Sequence, residues 1–347
     1  MHTITSEQAL DLVKQHWQFE GSAKELPSYA DRNFKIDTAH GKYVFKIANQ
    51  NWSYDDLDIE NAALLHLEKT CPDLALPKVK LATDNRHIIP LLTQQGEACH
   101  MRLLSFVEGE VYAHVATLND IDQTKLQFSL GVAVAKLGRG LEDFQHPSAD
   151  RYVDWSISNL PDLQNEIGSI ADTDLRALVA RHTAFYTTHE RTWQQSLPMQ
   201  VIHNDANDFN TIVASDATNP SAHVNAIIDF GDMCRSFRIV DLAIAMTYAL
   251  QHVKDDEAVL ACAMAILTGY QKTYPLTQAE LEVLYHFIMA RLCQSILMAS
   301  KASRRLPDNE YIMISQKEVR RLIKQLDVMS YQAIQQCFLS VLQNPTQ

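Results

Sequence analysis

Val201-Ile202-His203-Asn204-Asp205-Ala206-Asn207-Asp208-Phe209-Asn210-Thr211-Ile212-Val213, answered downstream by Ala226-Ile227-Ile228-Asp229-Phe230-Gly231-Asp232, decides how this chain is read. In both stretches an apolar, β-rich run adjoins a polar loop. The first loop presents His203, Asp205 and Asn210; the second run delivers Asp229 immediately before Phe-Gly. Asn210 and Asp229 offer the oxygen atoms that a hard divalent cation prefers. Asp205 is a third, separate carboxylate, five residues before Asn210. By itself the first loop would pass for a solvated Asn/Asp turn. Followed by Asp-Phe-Gly in strand context, it divides the labour as phosphoryl transfer requires, with one carboxylate for an acceptor hydroxyl and an amide–carboxylate pair for the metal.

Such chemistry needs an upstream cation. Val44-Phe45-Lys46-Ile47 sets a lysine among apolar strand residues, and Glu60 lies fourteen residues later on a helix-forming stretch. On an edge strand Lys46 would simply point to water. On a central strand it would bury an ammonium at high cost unless anions met it, and Glu60 with nucleotide phosphates would do so.

Working outward, Thr5 to Trp17 predicts a helix capped by Thr5 with Gln8 three residues on. Alternation from Tyr29 to Asn49 around Ala39-His40-Gly41-Lys42 predicts a β-hairpin, and Leu57 to Glu68 a helix. Strands are expected at Val79–Leu81, His87–Leu92 and Ala98–Val107. Beyond Gly109 the pattern turns helical, at Lys125–Leu141, Leu175–Gln195, Asp241–His252, Glu257–Thr273, Gln278–Lys301 and Gln316–Leu342. Only 200–232 interrupts it, with strands at Thr211–Val213 and Asn225–Ile228 around a polar turn at Asp216–Pro220. The expected fold class is therefore α+β: a small antiparallel-sheet lobe over 1–107 and a larger, mainly helical lobe over 108–347.

Composition narrows the function. Lys and Arg number 30 against 42 Asp and Glu, a net charge of −12, which argues against nucleic acid as the partner. The 10 glycines in 347 residues disfavour a glycine-built phosphate cradle. The longest apolar run, Ala258–Leu267, is too short to cross a membrane. Six scattered cysteines without a C-x-x-C pair read as reduced, mostly buried thiols, and no secretory pattern opens the chain, so a cytoplasmic protein is expected.

Three segments carry a resemblance: Asp31-Arg32-Asn33-Phe34 with Tyr43 to Asn49; Ile59 to Leu67; and Asp229 to Met233 with Asp241 to Ala245. Over essentially the whole chain the order of parts resembles the aminoglycoside phosphotransferase and choline kinase superfamily, of protein-kinase-like bilobal fold, and these segments look most like its hydroxylysine-kinase branch. The resemblance implies a kinase that moves the γ-phosphoryl group of ATP or GTP, with Mg2+, to a hydroxyl of an amine-bearing metabolite. Asp205 would be the base or orienting residue, and Asn210 and Asp229 the magnesium ligands. Lys46, paired with Glu60, would hold the nucleotide phosphates. Met101 to Gly109 would connect the lobes, with backbone groups of Ser105 and Val107 meeting the base. The hairpin Ser28 to Phe34 would cover the phosphates through Ser28 and Asn33. Asn204 stands where the family usually has Gly, and Asn tolerates the positive φ such a turn needs.

Asp208, Asp232, Arg235 and Arg291 are candidates for the acceptor pocket, carboxylates for an ammonium and arginines for a carboxylate. Trp155, Tyr152 and Tyr248 are candidates for an aromatic wall or for core. Asp241 is expected to tie down the catalytic loop or cap a helix, and His203 to shape that loop. Rival readings are a protein kinase, an idle nucleotide-binding pseudokinase, an aminoglycoside- or choline-type kinase, and a metal hydrolase built on His203, Asp205 and Asp229. The oligomeric state is open.

Overall fold

The computed structural model describes residues 4–28, 31–92, 96, 98–214, 222–305 and 316–343. The hairpin residues Tyr29 and Ala30 and the whole polar turn at Asp216–Pro220 lie outside them. The chain divides into two compact units, Met1–Glu108 with His146–Ser148, and Gly109–Gln145 with Ala149–Gln347.

The first unit is built on an antiparallel sheet. Its strands are β1 (Gly21–Leu26), β2 (Arg32–Thr38), β3 (Gly41–Ile47), β4 (Val79–Lys80), β5 (Ile89–Leu92) and β6 (Ala98–Ser105), in the order β1-β2-β3-β6-β4 with β5 also on β6. Alternation along β3 and β6 sorts side chains onto two faces. Tyr43, Phe45, Ile47, Met101 and Leu103 join Phe34 and Ile36 in a core closed by Ala9, Val13 and Trp17 of α1 (Ser6–Trp17). The capping box that opens α1 is formed: Gln8 N donates to Thr5 Oγ1 at 3.2 Å and Thr5 N to Gln8 Oε1 at 2.9 Å. The opposite face of the sheet carries Lys46 and Arg102, and α2 (Tyr54–Thr70) supplies that face with Glu60 and Asn61.

The second unit is mainly helical: α3 (Tyr112–Val115), α4 (Gln123–Gly140), α5 (Thr173–Ser196), α6 (Ile239–Gln251), α7 (Asp256–Thr273), α8 (Gln278–Arg305), α9 (Gln316–Val328) and α10 (Tyr331–Ser340). α4 and α7 meet backbone to backbone. A Cβ on Gly131 would stand 1.8 Å from the Ile266 carbonyl oxygen, and one on Gly269 2.1 Å from that of Phe128, so neither position admits a side chain. α8 packs against α5, α6, α9 and α10. It is the one helix among the described residues long and apolar enough to cross a membrane, but 72% of its apolar window is buried inside the protein, as befits a core helix.

Two short β-ladders interrupt the helices. β8 (Met199–Ile202) pairs with β11 (Cys234–Phe237), and β9 (Thr211–Ala214) with β10 (His223–Ile227), to which β7 (Glu110–Val111) adds through β9. The expected helix Gln316–Leu342 is broken at Ser330, whose hydroxyl accepts from Ala333 N and starts α10 afresh. Strand β1 has no counterpart among the expected elements. Its residues are mostly exposed, so hydrophobic alternation could not announce it.

Candidate active site

The ladders place the loops. β8 leads into 203–210 and β9 leaves it, while 228–233 joins β10 to β11, so the β8–β11 pairing Ile202↔Cys234 sets the two loops side by side. Both loops contain left-handed backbone, at Asn204 (φ 66°) and Asp229 (φ 64°), a conformation strained for most residues but open to Asn and Asp. The main chain at 203–204 is held from α6: Asp241 Oδ2 accepts from His203 N at 3.0 Å and Oδ1 from Asn204 N at 2.7 Å. Asp241 sits inside α6, where it ties the loop and does not cap the helix. Burial pushes its carboxyl up to about 6, against the pull of those two N–H groups.

His203 is fully buried, its ring edge-on to Phe230 at 4.6 Å. Asp205 N donates to His203 Nδ1 at 3.2 Å, so the other ring nitrogen, Nε2, donates to Ile228 O at 3.1 Å. Burial lowers the imidazole to about 4, so it is neutral at pH 7, and both its ring nitrogens are engaged in shaping the loop.

Asp205 is gripped from three directions. Asn207 Nδ2 and Asn210 Nδ2 donate to its Oδ2 at 3.0 and 2.8 Å, and Arg291 Nη2 of α8 donates to Oδ1 at 3.1 Å. Its side chain is 21% exposed. Burial raises its pKa, Arg291 opposes that, and the Asp232 and Asp229 carboxylates add to it. Arg291 is itself 1% exposed, lies 4.8 Å over the Trp155 ring and 5.7 Å from that of Tyr248, and donates through Nη1 to Trp155 O and Gln294 Oε1. Arg291, a candidate for the acceptor pocket or for a structural place, is Asp205's buried counter-ion. Trp155 and Tyr248 are correspondingly the walls of that cation.

The same bonds orient Asn210. Its amide nitrogen is committed to Asp205, also through Asp205 O at 3.0 Å, and its main-chain carbonyl accepts from Ile228 N at 2.8 Å. The amide oxygen therefore faces away from Asp205, and Asp229 presents an exposed carboxylate on the adjoining loop. An amide oxygen and a carboxylate are the hard donors that Mg2+ takes when phosphate and water oxygens complete its shell.

Two residues beyond the sequence motifs support these loops. Asn207 buttresses Asp205 and accepts at Oδ1 from Phe209 N and Asn210 N. Arg151 donates through Nη2 to Gly231 O at 2.5 Å and through Nε to Met233 O at 3.3 Å, bracing the segment after Asp229. Of the other acceptor candidates, Asp208 is nearly buried and bonded to His252 Nε2 at 2.8 Å, and Arg235 pairs with Asp150 at the surface. Asp232 lies close enough to act electrostatically on Asp205 and Arg291. Tyr152 is 63% exposed.

In the first unit Lys46 is buried at the centre of a row Asn33–Lys46–Arg102 across three adjacent strands. Glu60 and Asn61 of α2 accept from Arg102, Glu60 through Oε2 and Asn61 through Oδ1 at 3.3 Å. Arg102 is thus a partner of Glu60 that the sequence did not reveal. Ser28 is exposed just after β1. Ser105 is tied to Lys78, its N–H donating to Lys78 O and its hydroxyl accepting from Lys78 N, each at 2.8 Å.

A family description, the phosphotransferase enzyme family, matches residues 22–276. Hydroxylysine kinase of Mus musculus is 27% identical, the match covering 96% of this chain and 92% of the relative. Homoserine kinase of Bartonella henselae is 26% identical over 73% of this chain and 72% of its own length. The solved structure of amicoumacin kinase hAmiN, in complex with AMP-PNP, Ca2+ and Ami, covers 95% of this chain and 97% of its own with a TM-score of 0.71 at 15% identity. That last likeness is one of fold, protein-kinase-like and α+β.

Proposed function

This chain belongs to the phosphotransferase enzyme family, and from that premise we propose that it moves the γ-phosphoryl group of ATP or GTP, with Mg2+, to a hydroxyl of an amine-bearing metabolite such as hydroxylysine, another hydroxy amino acid or an amino alcohol. That it is a small-molecule kinase with an alcohol acceptor and a nucleotide donor follows from its relatives. The observation that carries the proposed mechanism is the orientation of the catalytic loop, with Asp205 fixed by Asn207, Asn210 and Arg291.

Asp205 would orient the acceptor hydroxyl for in-line attack and take its proton as the bond to the γ-phosphorus forms and the bond to the β,γ-bridging oxygen breaks, releasing the nucleoside diphosphate. Asn210 Oδ1 and Asp229 would hold Mg2+, which when bound neutralises charge on the phosphate oxygens. Lys46, with Glu60, would hold the phosphates, Ser28 and Asn33 would cover them, and Val107 would meet the base. Asp232 is the best placed of the acceptor candidates, since an ammonium group beside it would relieve its repulsion from Asp205. The acceptor class is supported by the hydroxylysine and homoserine kinases that the chain matches.

The test is a coupled assay of hydroxylysine, homoserine, aminopropanol, choline and an aminoglycoside, each with Mg2+ and either ATP or GTP. Acceptor-dependent nucleotide consumption should be largest with a hydroxylated amino acid or amino alcohol. No stimulation by any acceptor would favour an idle nucleotide-binding protein instead.

A further inference from the structure

Lys46 and Arg102 stand directly opposite each other in the β3–β6 ladder. Opposite residues of an antiparallel pair project from the same face with Cβ atoms about 4.5–5.5 Å apart, where like charges destabilise the sheet. Both side chains are buried, Arg102 to 1% exposure. A buried ion pair is often no more stable than apolar side chains of similar volume, so sheet stability alone gives no reason for a guanidinium here. What it supplies is a fork: Nη2 donates to Glu60 Oε2 and Nη1 to Asn61 Oδ1, so that one planar group grips two successive residues of α2.

We propose that Arg102 is a positioning residue for phosphoryl transfer, holding Glu60 in place independently of Lys46. It rests on the kinase reading above. If Glu60 were placed by Lys46 alone, its geometry would change whenever the lysine turned to a phosphate. Anchored by Arg102 from the neighbouring strand, the carboxylate stays put and Lys46 moves between it and the phosphates at little cost. Asn33, opposite Lys46 on the other side of the row, has a buried Oδ1 with no hydrogen-bond partner, so the row Asn33–Lys46–Arg102 is itself polar, with Lys46 and Arg102 buried.

The experiment measures melting temperature, affinity for a fluorescent ATP analogue with Mg2+, and nucleotide KM and kcat for Arg102→Lys, Arg102→Met and the double variant Arg102→Met/Glu60→Gln. Misplacing Glu60 should weaken nucleotide use on the order of 10- to 100-fold in Arg102→Met, with Arg102→Lys between it and wild type. The double variant removes the orphaned carboxylate, so it should regain melting temperature without regaining nucleotide affinity. Recovery of both together would mean a merely structural role and overturn the inference. So would an Arg102→Met protein that is folded and has wild-type nucleotide KM. A wild-type protein that bound no nucleotide would overturn the kinase reading and this inference with it, whereas nucleotide binding by wild type beside an unaffected Arg102→Met protein overturns the inference alone.

Discussion

Arg291 Nη2 donates to Asp205 Oδ1 at 3.1 Å, from a helix that begins at Gln278, far downstream of the loop. The guanidinium is stacked on Trp155 and bonded to Trp155 O, so its position is set before any substrate arrives. Arg291→Ala should lower kcat on the order of 100-fold by releasing Asp205 from its productive place, and destabilise the fold by about 3 kcal/mol or more because a buried ion pair loses one member. Arg291→Lys keeps the charge without the fork or the stacking, so it should lie closer to wild type in melting temperature than in kcat. Steady-state kinetics beside thermal denaturation checks both; a full kcat in Arg291→Ala would refute the role.

Asp205→Asn retains a similar shape and an acceptor oxygen but no basic carboxylate. Turnover should fall by about 100- to 10,000-fold, the usual worth of a positioned base. The Kd for nucleotide should change little, since Lys46 and Val107 are untouched. Turnover and nucleotide titration on the same preparation separate the two effects, and undiminished turnover would remove Asp205 from the mechanism.

Asp241 meets two N–H groups with two carboxylate oxygens. In Asp241→Asn only one oxygen remains and an NH2 group confronts a donor. The expected result is a melting temperature several degrees lower and a kcat reduced about tenfold, from the loss of one charge-assisted bond of about 1.5–3 kcal/mol. Asp241→Ala, which frees both N–H groups, should be worse in both measurements. Equal stability of the three proteins would show that the loop holds its turn without α6.

Burial lowers His286 to about 4 from the ordinary 6.5, with His182 and His189 adding to the shift; its ring stacks on Phe185 at 4.2 Å. The unfolded chain therefore binds the proton more readily than the folded one between pH 6.5 and 4, so stability is level above that window and falls as pH drops through it. Asp241, raised to about 6, acts in the opposite sense over part of the range, and His203 acts in the same sense as His286. His286→Phe should keep the stacking and flatten the acid limb of a plot of melting temperature against pH. An unchanged slope would mean that other groups govern acid unfolding.

What the sequence made legible was local. The Asp205–Asn210 step, the Asp229-Phe-Gly run, the hairpin around Gly41 and the Thr5–Gln8 cap each lie within a few residues, where type and spacing carry the physics. The partners that fix these groups are remote: Arg102 reaches Glu60 because β6 lies beside β3, and Arg291 reaches Asp205 across 86 positions. Neither register nor helix packing is written in spacing, so Arg102 passed as one residue of a connecting strand and Arg291 as one of four candidates for the acceptor pocket. Arg151 and Asn207 were missed for a related reason, since they act on backbone carbonyls, amides and a neighbouring carboxylate that any loop offers.

Asn204 joins the local and the remote. Its φ of 66° is the conformation expected of the residue that replaces the usual glycine, yet both polar atoms of its buried side chain lack a hydrogen-bond partner. The amide is thus tolerated for its backbone and contributes no bond of its own. Asn204→Gly should relieve two unsatisfied groups at the price of greater freedom in the unfolded chain, leaving stability within about 1 kcal/mol of wild type and kcat unchanged. Asn204→Ala meets a left-handed penalty of about 1–2 kcal/mol, and Asn204→Val a larger one, because branching at Cβ crowds that conformation further. Melting temperatures should therefore run Gly near Asn, then Ala, then Val, with kcat falling in the same order as the Asp241-held turn gives way. An Asn204→Val protein as stable and active as wild type would show that this turn does not need its left-handed residue.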